Sequence, residues 1–160
     1  MFKKILVGYD GSKGGKAALA GAAALAEKFE SRVTALWVRE PLPRHSDLPG
    51  EVEDEAEAAD EYFQERQKEV TEVAAQYGLS IACETRRGHP AKTTVQFAKE
   101  GGYDLVVVGH SDHSELWGRL LGDTADRISD HAHCSVLIVK PVDQPHPAPD
   151  SQDTTPGRKP

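Results

Sequence analysis

Apolar residues gather in five short runs: Lys4–Tyr9 (KILVGY), Arg32–Val38 (RVTALWV), Leu79–Thr85 (LSIACET), Asp104–Gly109 (DLVVVG) and Ser135–Lys140 (SVLIVK). Three of them are nearly unbroken Val, Ile and Leu, the pattern of a strand covered on both faces rather than one. Between the runs the spacing changes from two to three and four. After Ser12, a predicted N-cap, small or apolar residues recur at Gly15, Ala18, Leu19, Ala22, Leu25, Ala26 and Phe29. A longer helix is predicted with Val52, Ala56, Ala59, Phe63, Val70, Ala74 and Tyr77 as its buried stripe, which Arg66 interrupts. A third opens at Pro90, a residue suited to a first helical turn, with Val95 and Ala98 inward. A fourth spans about Gly122 to Ala132, with Leu121, Ala125, Ile128 and Ala132 on one side. Strands alternating with helices call for a parallel α/β sheet with right-handed crossovers. The expectation is a single three-layer, Rossmann-like domain of five strands and four helices over residues 1–140.

Two stretches fall outside the alternation. "REPLPRHSDLPG" (39–50) is proline-rich and aperiodic, and reads as an extended loop. The stretch 141–160 holds six of the chain's ten prolines and little to bury, and is expected to be disordered. At 160 residues the chain suffices for one full core. A formal charge of −7 argues against a nucleic-acid surface or an anionic membrane surface. Much of that charge sits in "EVEDEAEAADE" (51–61), where acids suit a helix N-terminus and a solvated face. No apolar run approaches the roughly 20 residues of a spanning helix, and Ile5–Tyr9 is shorter than a signal-peptide core. The two cysteines, Cys83 and Cys134, make no disulfide framework, so a cytoplasmic location is expected.

In open α/β sheets, ligands settle at the carboxyl ends of strands where the strand order reverses. With the order 3-2-1-4-5, that point lies between the first and fourth strands. Two loops then face each other, "YDGSKGGK" (9–16) and "GHSDHSELWGRLLGDTAD" (109–126). The first is no P-loop: only three residues separate Gly11 from Gly15, and Lys16 is followed by Ala17. Asp10 has two readings, as an acceptor for a ribose or an adenine amine, or as the support of its own Asx turn.

The order and spacing of "KKILVGYDGS", "DLVVVGH", "LLGDTAD" and "HAHCSVLIVKP" resemble the universal stress protein (UspA) family over about residues 3–140. The resemblance implies the five-stranded fold and a homodimer joined through the last strand, Ser135–Lys140. It also implies, in many members, ATP bound at the switch point through Gly-x2-Gly-x9-Gly-[Ser/Thr]. Here Gly109 and Gly122 meet the first and third glycines, while Asp112 stands at the second and Asp123 at the hydroxyl position. Thr124 offers a hydroxyl one residue later. Two like charges about 4 Å apart repel by roughly 4 kcal/mol at an effective dielectric near 20. The helix terminus returns only about 0.3–2 kcal/mol. Asp112 and Asp123 therefore oppose a triphosphate unless Mg²⁺ bridges them, a use to which that ion puts one or two carboxylates.

Other constellations carry less. His110, His113, His131, His133, Asp130 and Cys134 offer zinc-type donors, although helix-end placement and packing account for the later ones. Cys83 reads as a small buried hydrophobe, and Ser111 and Ser114 lack a nucleophile elbow. Trp37 and Trp117 are packing residues, with Trp117 also placed to cover a base.

The resulting expectation is a regulatory or binding protein of stress adaptation without a dedicated reaction, and with no protein partner that the sequence identifies. In one form it binds an adenine nucleotide, ATP or AMP, with or without Mg²⁺. Tyr9, Asp10 and the backbone of Val38 would hold adenosine, and Gly109, His110, Gly122 and Thr124 would meet phosphate. Asp112 and Asp123 would hold the metal. In a second form Asp123 fills the anion site and the chain is an interaction module. In a third it hydrolyses nucleotide slowly with Mg²⁺.

Overall fold

In the computed structural model, residues 1–41, 49–110 and 123–142 are described. The chain order is β1 (Lys4–Gly8), α1 (Lys13–Phe29), β2 (Arg32–Arg39), α2 (Pro49–Gln76), β3 (Ile81–Arg87), α3 (Pro90–Glu100), β4 (Leu105–Gly109), α4 (Asp123–His131) and β5 (Ser135–Val139). All five strands are parallel, in the order β3-β2-β1-β4-β5. Right-handed crossovers send α1 and α2 to one face and α3 and α4 to the other.

The unbroken apolar runs follow from that layering. Successive strand residues point to opposite faces. Ile5, Val7, Leu105 and Val107 enter a core with Ala18, Leu19, Ala22 and Ala26 of α1 and Val70 of α2. Leu6, Val106 and Val108 enter a second core with Ala91 and Ala98 of α3 and Ala125 and Ile128 of α4. Both faces are dry, so neither alternation nor a polar face survives in β1 or β4. Ser12 caps α1 through a 3.1 Å bond from the Gly15 N–H.

The differences from expectation lie at the ends of elements. Leu79 precedes β3, which instead runs on to Arg87. Ala56, expected inward, is exposed, as is most of 53–61. The cause is length. At about 1.5 Å per residue, the 28 residues of α2 span about 42 Å. The eight residues of β2 reach only about 26 Å at 3.3 Å each. The acidic first half of α2 therefore overhangs the strand ends. Tyr77 lies just past the helix, and Cys83 is half-buried against the α1/α2 core.

Candidate functional site

The switch point falls between β1 and β4, because β1 leads to β2 on one side and β4 lies on the other. Its first wall is the β1–α1 loop. Tyr9 is buried, and its N–H donates to the Leu36 carbonyl at 2.9 Å, extending the β1–β2 pairing by one residue. Asp10 then turns outward. Its Oδ1 accepts the Ser12 N–H at 2.9 Å, so the Asx-turn reading holds, and the residue is exposed at the strand tip. Gly11 has φ of +80°, a backbone conformation that favours glycine.

Val38 completes the wall from β2. Its side chain packs into the α3/α4 core. N–H and C=O groups of a strand alternate between its two edges. Val38 therefore presents its own on the edge used by Leu36, and β1 has already ended at Gly8. Val38 lies two residues beyond the last β1 partner, so a paired donor and acceptor overhang the crevice beside Asp10. A donor and an acceptor side by side on a strand end can bond a ligand edge of complementary pattern.

The second wall is less open than the glycine pattern suggests. Gly109 pairs with Val139 of β5 and presses its backbone on α1. A Cβ there would lie 2.8 Å from the Gly14 Cα, and nearer still to the Gly14 carbonyl. Likewise a Cβ on Gly14 would come within 2.5 Å of the His110 carbonyl. Gly109 is thus required by the contact between β4 and the first turn of α1. The His110 N–H donates to the Val139 carbonyl at 2.8 Å, on the β5 side and away from β1. Asp123 is the first residue of α4, with Thr124 exposed beside it. An acid at that position suits the positive end of the helix. Asp112, His113, Trp117 and Gly122 lie outside the described residues.

Sequence reasoning missed a third wall. Tyr62, Arg66 and Glu69 of α2 stand over the β1 tip. Tyr62 donates its hydroxyl to the Asp10 carbonyl, and Tyr9 donates its own to Glu69. Arg66 bonds Glu69 at 2.9 Å and lies 4.3 Å from the Tyr62 ring centroid. Burial first, and then the bond to Glu69, push the Tyr9 phenol above its ordinary range. Trp37 of β2 packs on Tyr62 and Phe63, with ring centroids 4.7 and 6.3 Å away, the packing role expected of it. The available signal was Arg66 itself, a cation in the middle of an apolar stripe.

Among the described residues, no three His, Cys, Asp or Glu side chains converge as a metal site would require. The His131 ring is bonded to the Arg127 carbonyl at 3.0 Å, at the end of α4. No helix among the described residues is long and apolar enough to cross a membrane.

The fold defines a class, that of small doubly wound α/β proteins with a crevice at the switch point. Within it, the sequence pattern of the universal stress protein family matches residues 1–140. A universal stress protein of Methanocaldococcus jannaschii is 36% identical over 88% of this chain and 83% of its own length. One of Bacillus subtilis is 34% identical over 88% of this chain and all of its own. The crystal structure of a universal stress protein in complex with cAMP superposes with a TM-score of 0.70. It is 26% identical and covers 88% of this chain and 99% of that one. The chain belongs to the universal stress protein family.

Proposed function

We propose that this chain is a cytoplasmic regulatory protein that binds an adenine nucleotide between β1 and β4. The observation that carries the reading is the free edge of β2 at Val38 beside the exposed Asp10. That edge offers a donor and an acceptor to the base, and the carboxylate offers an acceptor to an amine or a ribose hydroxyl. A relative of the same fold, at 26% identity, was crystallised with cAMP. Thr124 and the glycines at 109 and 122 complete the site on the phosphate side.

Charge selects among nucleotides. Asp123 occupies the first position of α4, and the His110 N–H is already bonded to β5. Among the described residues, few donors then remain for a long phosphate chain, and carboxylates at 112 and 123 repel it. A nucleotide with one phosphate suits this site without metal, and ATP requires Mg²⁺ held by Asp112 and Asp123. Asp123 also favours a second reading, in which its carboxylate replaces the phosphate and the chain is purely an interaction module.

Calorimetric titration with cAMP, AMP and ATP, each with and without Mg²⁺, tests both. The expected result is metal-independent binding of cAMP and AMP, with ATP bound only when Mg²⁺ is present. Absence of binding by all three at millimolar concentration would leave the interaction module. Asp112→Gly with Asp123→Ser should then raise metal-free ATP affinity by tenfold or more.

The functional unit we propose is a homodimer paired through β5. That strand is at the edge of the sheet, and it presents Leu137 at 37% exposure. An uncovered apolar edge is a ready template for a second strand.

A further inference from the structure

Arg66 is costly where it stands. Its side chain is only 15% exposed, and its Nε is buried without a hydrogen-bond partner among the described residues. Val70 and Ala74 already bury the apolar stripe of α2 against the sheet, so packing alone does not call for a guanidinium one turn earlier.

The contacts of Arg66 run instead to the β1–α1 loop. The guanidinium rests on Gly11 so closely that a Cβ on residue 11 would lie 2.6 Å from Nη1 and 2.9 Å from Cδ. Its Cζ lies 4.3 Å from the centroid of the Tyr62 ring, and Nη2 donates to Glu69 at 2.9 Å. Tyr62 in turn donates to the Asp10 carbonyl, while its ring leans on Trp37 of β2. Glu69 accepts the Tyr9 hydroxyl. Residues 9, 10 and 11 are each gripped by a different α2 side chain.

We propose that Tyr62 and Arg66 are positioning residues for the nucleotide site, clamping the β1–α1 loop in the shape that presents Asp10 to the ligand. The inference rests on the nucleotide reading above. The clamp joins the crevice to α2 just below the overhanging acidic half of that helix. A ligand that pulls on Asp10 therefore changes the Tyr62–Trp37 contact. Arginine suits this position better than lysine, because one group contacts Tyr62, crowds Gly11 and donates to Glu69 together.

The test uses the full chain and the variants Tyr62→Phe and Arg66→Lys. The first removes a single oxygen and keeps the ring on Trp37; the second keeps the charge. In the ligand-free protein, hydrogen exchange at the Ser12 and Gly15 amides reports the loop, since both are bonded within it. Exchange should quicken by roughly 3- to 10-fold in each variant, and cAMP affinity should fall by a similar factor, with thermal midpoints little changed. In a Trp117→Phe background, cAMP should alter Trp37 emission in the parent and less in Tyr62→Phe. Unchanged exchange in both variants overturns the clamp. Faster exchange with unchanged affinity overturns the positioning role. Failure of the parent chain to bind cAMP is a different result, and it counts against the nucleotide reading itself.

Discussion

Gly14 and Gly109 meet backbone to backbone: a Cβ on Gly109 would lie 2.8 Å or less from the Gly14 main chain, and one on Gly14 would lie 2.5 Å from the His110 carbonyl. This contact draws the first turn of α1 against the end of β4 and closes the floor of the crevice. No flexible side chain is available to move aside. Gly109→Ala should destabilise the fold by about 1–3 kcal/mol, the usual range for overpacking. Urea unfolding measures it, and a cost below about 0.5 kcal/mol would mean that β4 and α1 separate easily.

The Tyr9 phenol sets an alkaline limit. Its pKa in the fold lies above the unfolded value of about 10, chiefly through burial and then through its bond to Glu69. The folded chain thus holds that proton when the unfolded chain has begun to lose it. The contribution is complete below about pH 10 and declines as pH rises beyond it. Stability of the parent chain should fall more steeply above pH 10 than that of Tyr9→Phe. Parallel profiles would place the alkaline titration elsewhere.

Glu30 ends α1 with φ of 54°, the one non-glycine residue with positive φ among those described. A side chain there carries a backbone cost that glycine avoids. Glu30→Gly is expected to stabilise by about 0.5–1 kcal/mol, read as a higher thermal midpoint. A lower midpoint would show that the carboxylate makes a compensating contact.

The edge position of β5 leads to a prediction about assembly. Leu137→Asp places a charge in the middle of the exposed edge strand, and a charged side chain on an edge discourages strand pairing. Sedimentation should show the parent chain as a dimer at micromolar concentration and the variant as a monomer. A monomeric parent chain would remove the dimer from the proposal.

The layers of the fold were readable from local pattern. Val and Ile runs bounded by three-and-four spacing have few solutions other than a covered parallel sheet, and the strand order matched the 3-2-1-4-5 arrangement. The place of Asp10 and Val38 at the carboxyl ends of β1 and β2, beside the switch point, was legible because the rule for such points is topological and needs only the order of strands. Ala56 was misread because periodicity shows which side of a helix is apolar, and not how far the sheet extends beneath it.

Other features waited on the tertiary structure. Gly109 reads as a phosphate glycine in a string of residues, yet its missing Cβ makes room for Gly14, 95 positions earlier by number. Arg66 reads as a flaw in an apolar stripe, yet it grips a loop 55 residues away. Sequence by itself determined the layers and the place of the crevice, since burial pattern and strand order are properties of local runs. Tertiary structure alone showed what Gly109 and Arg66 touch, because close approach and side-chain pairing depend on which distant segments the fold brings within a few ångströms.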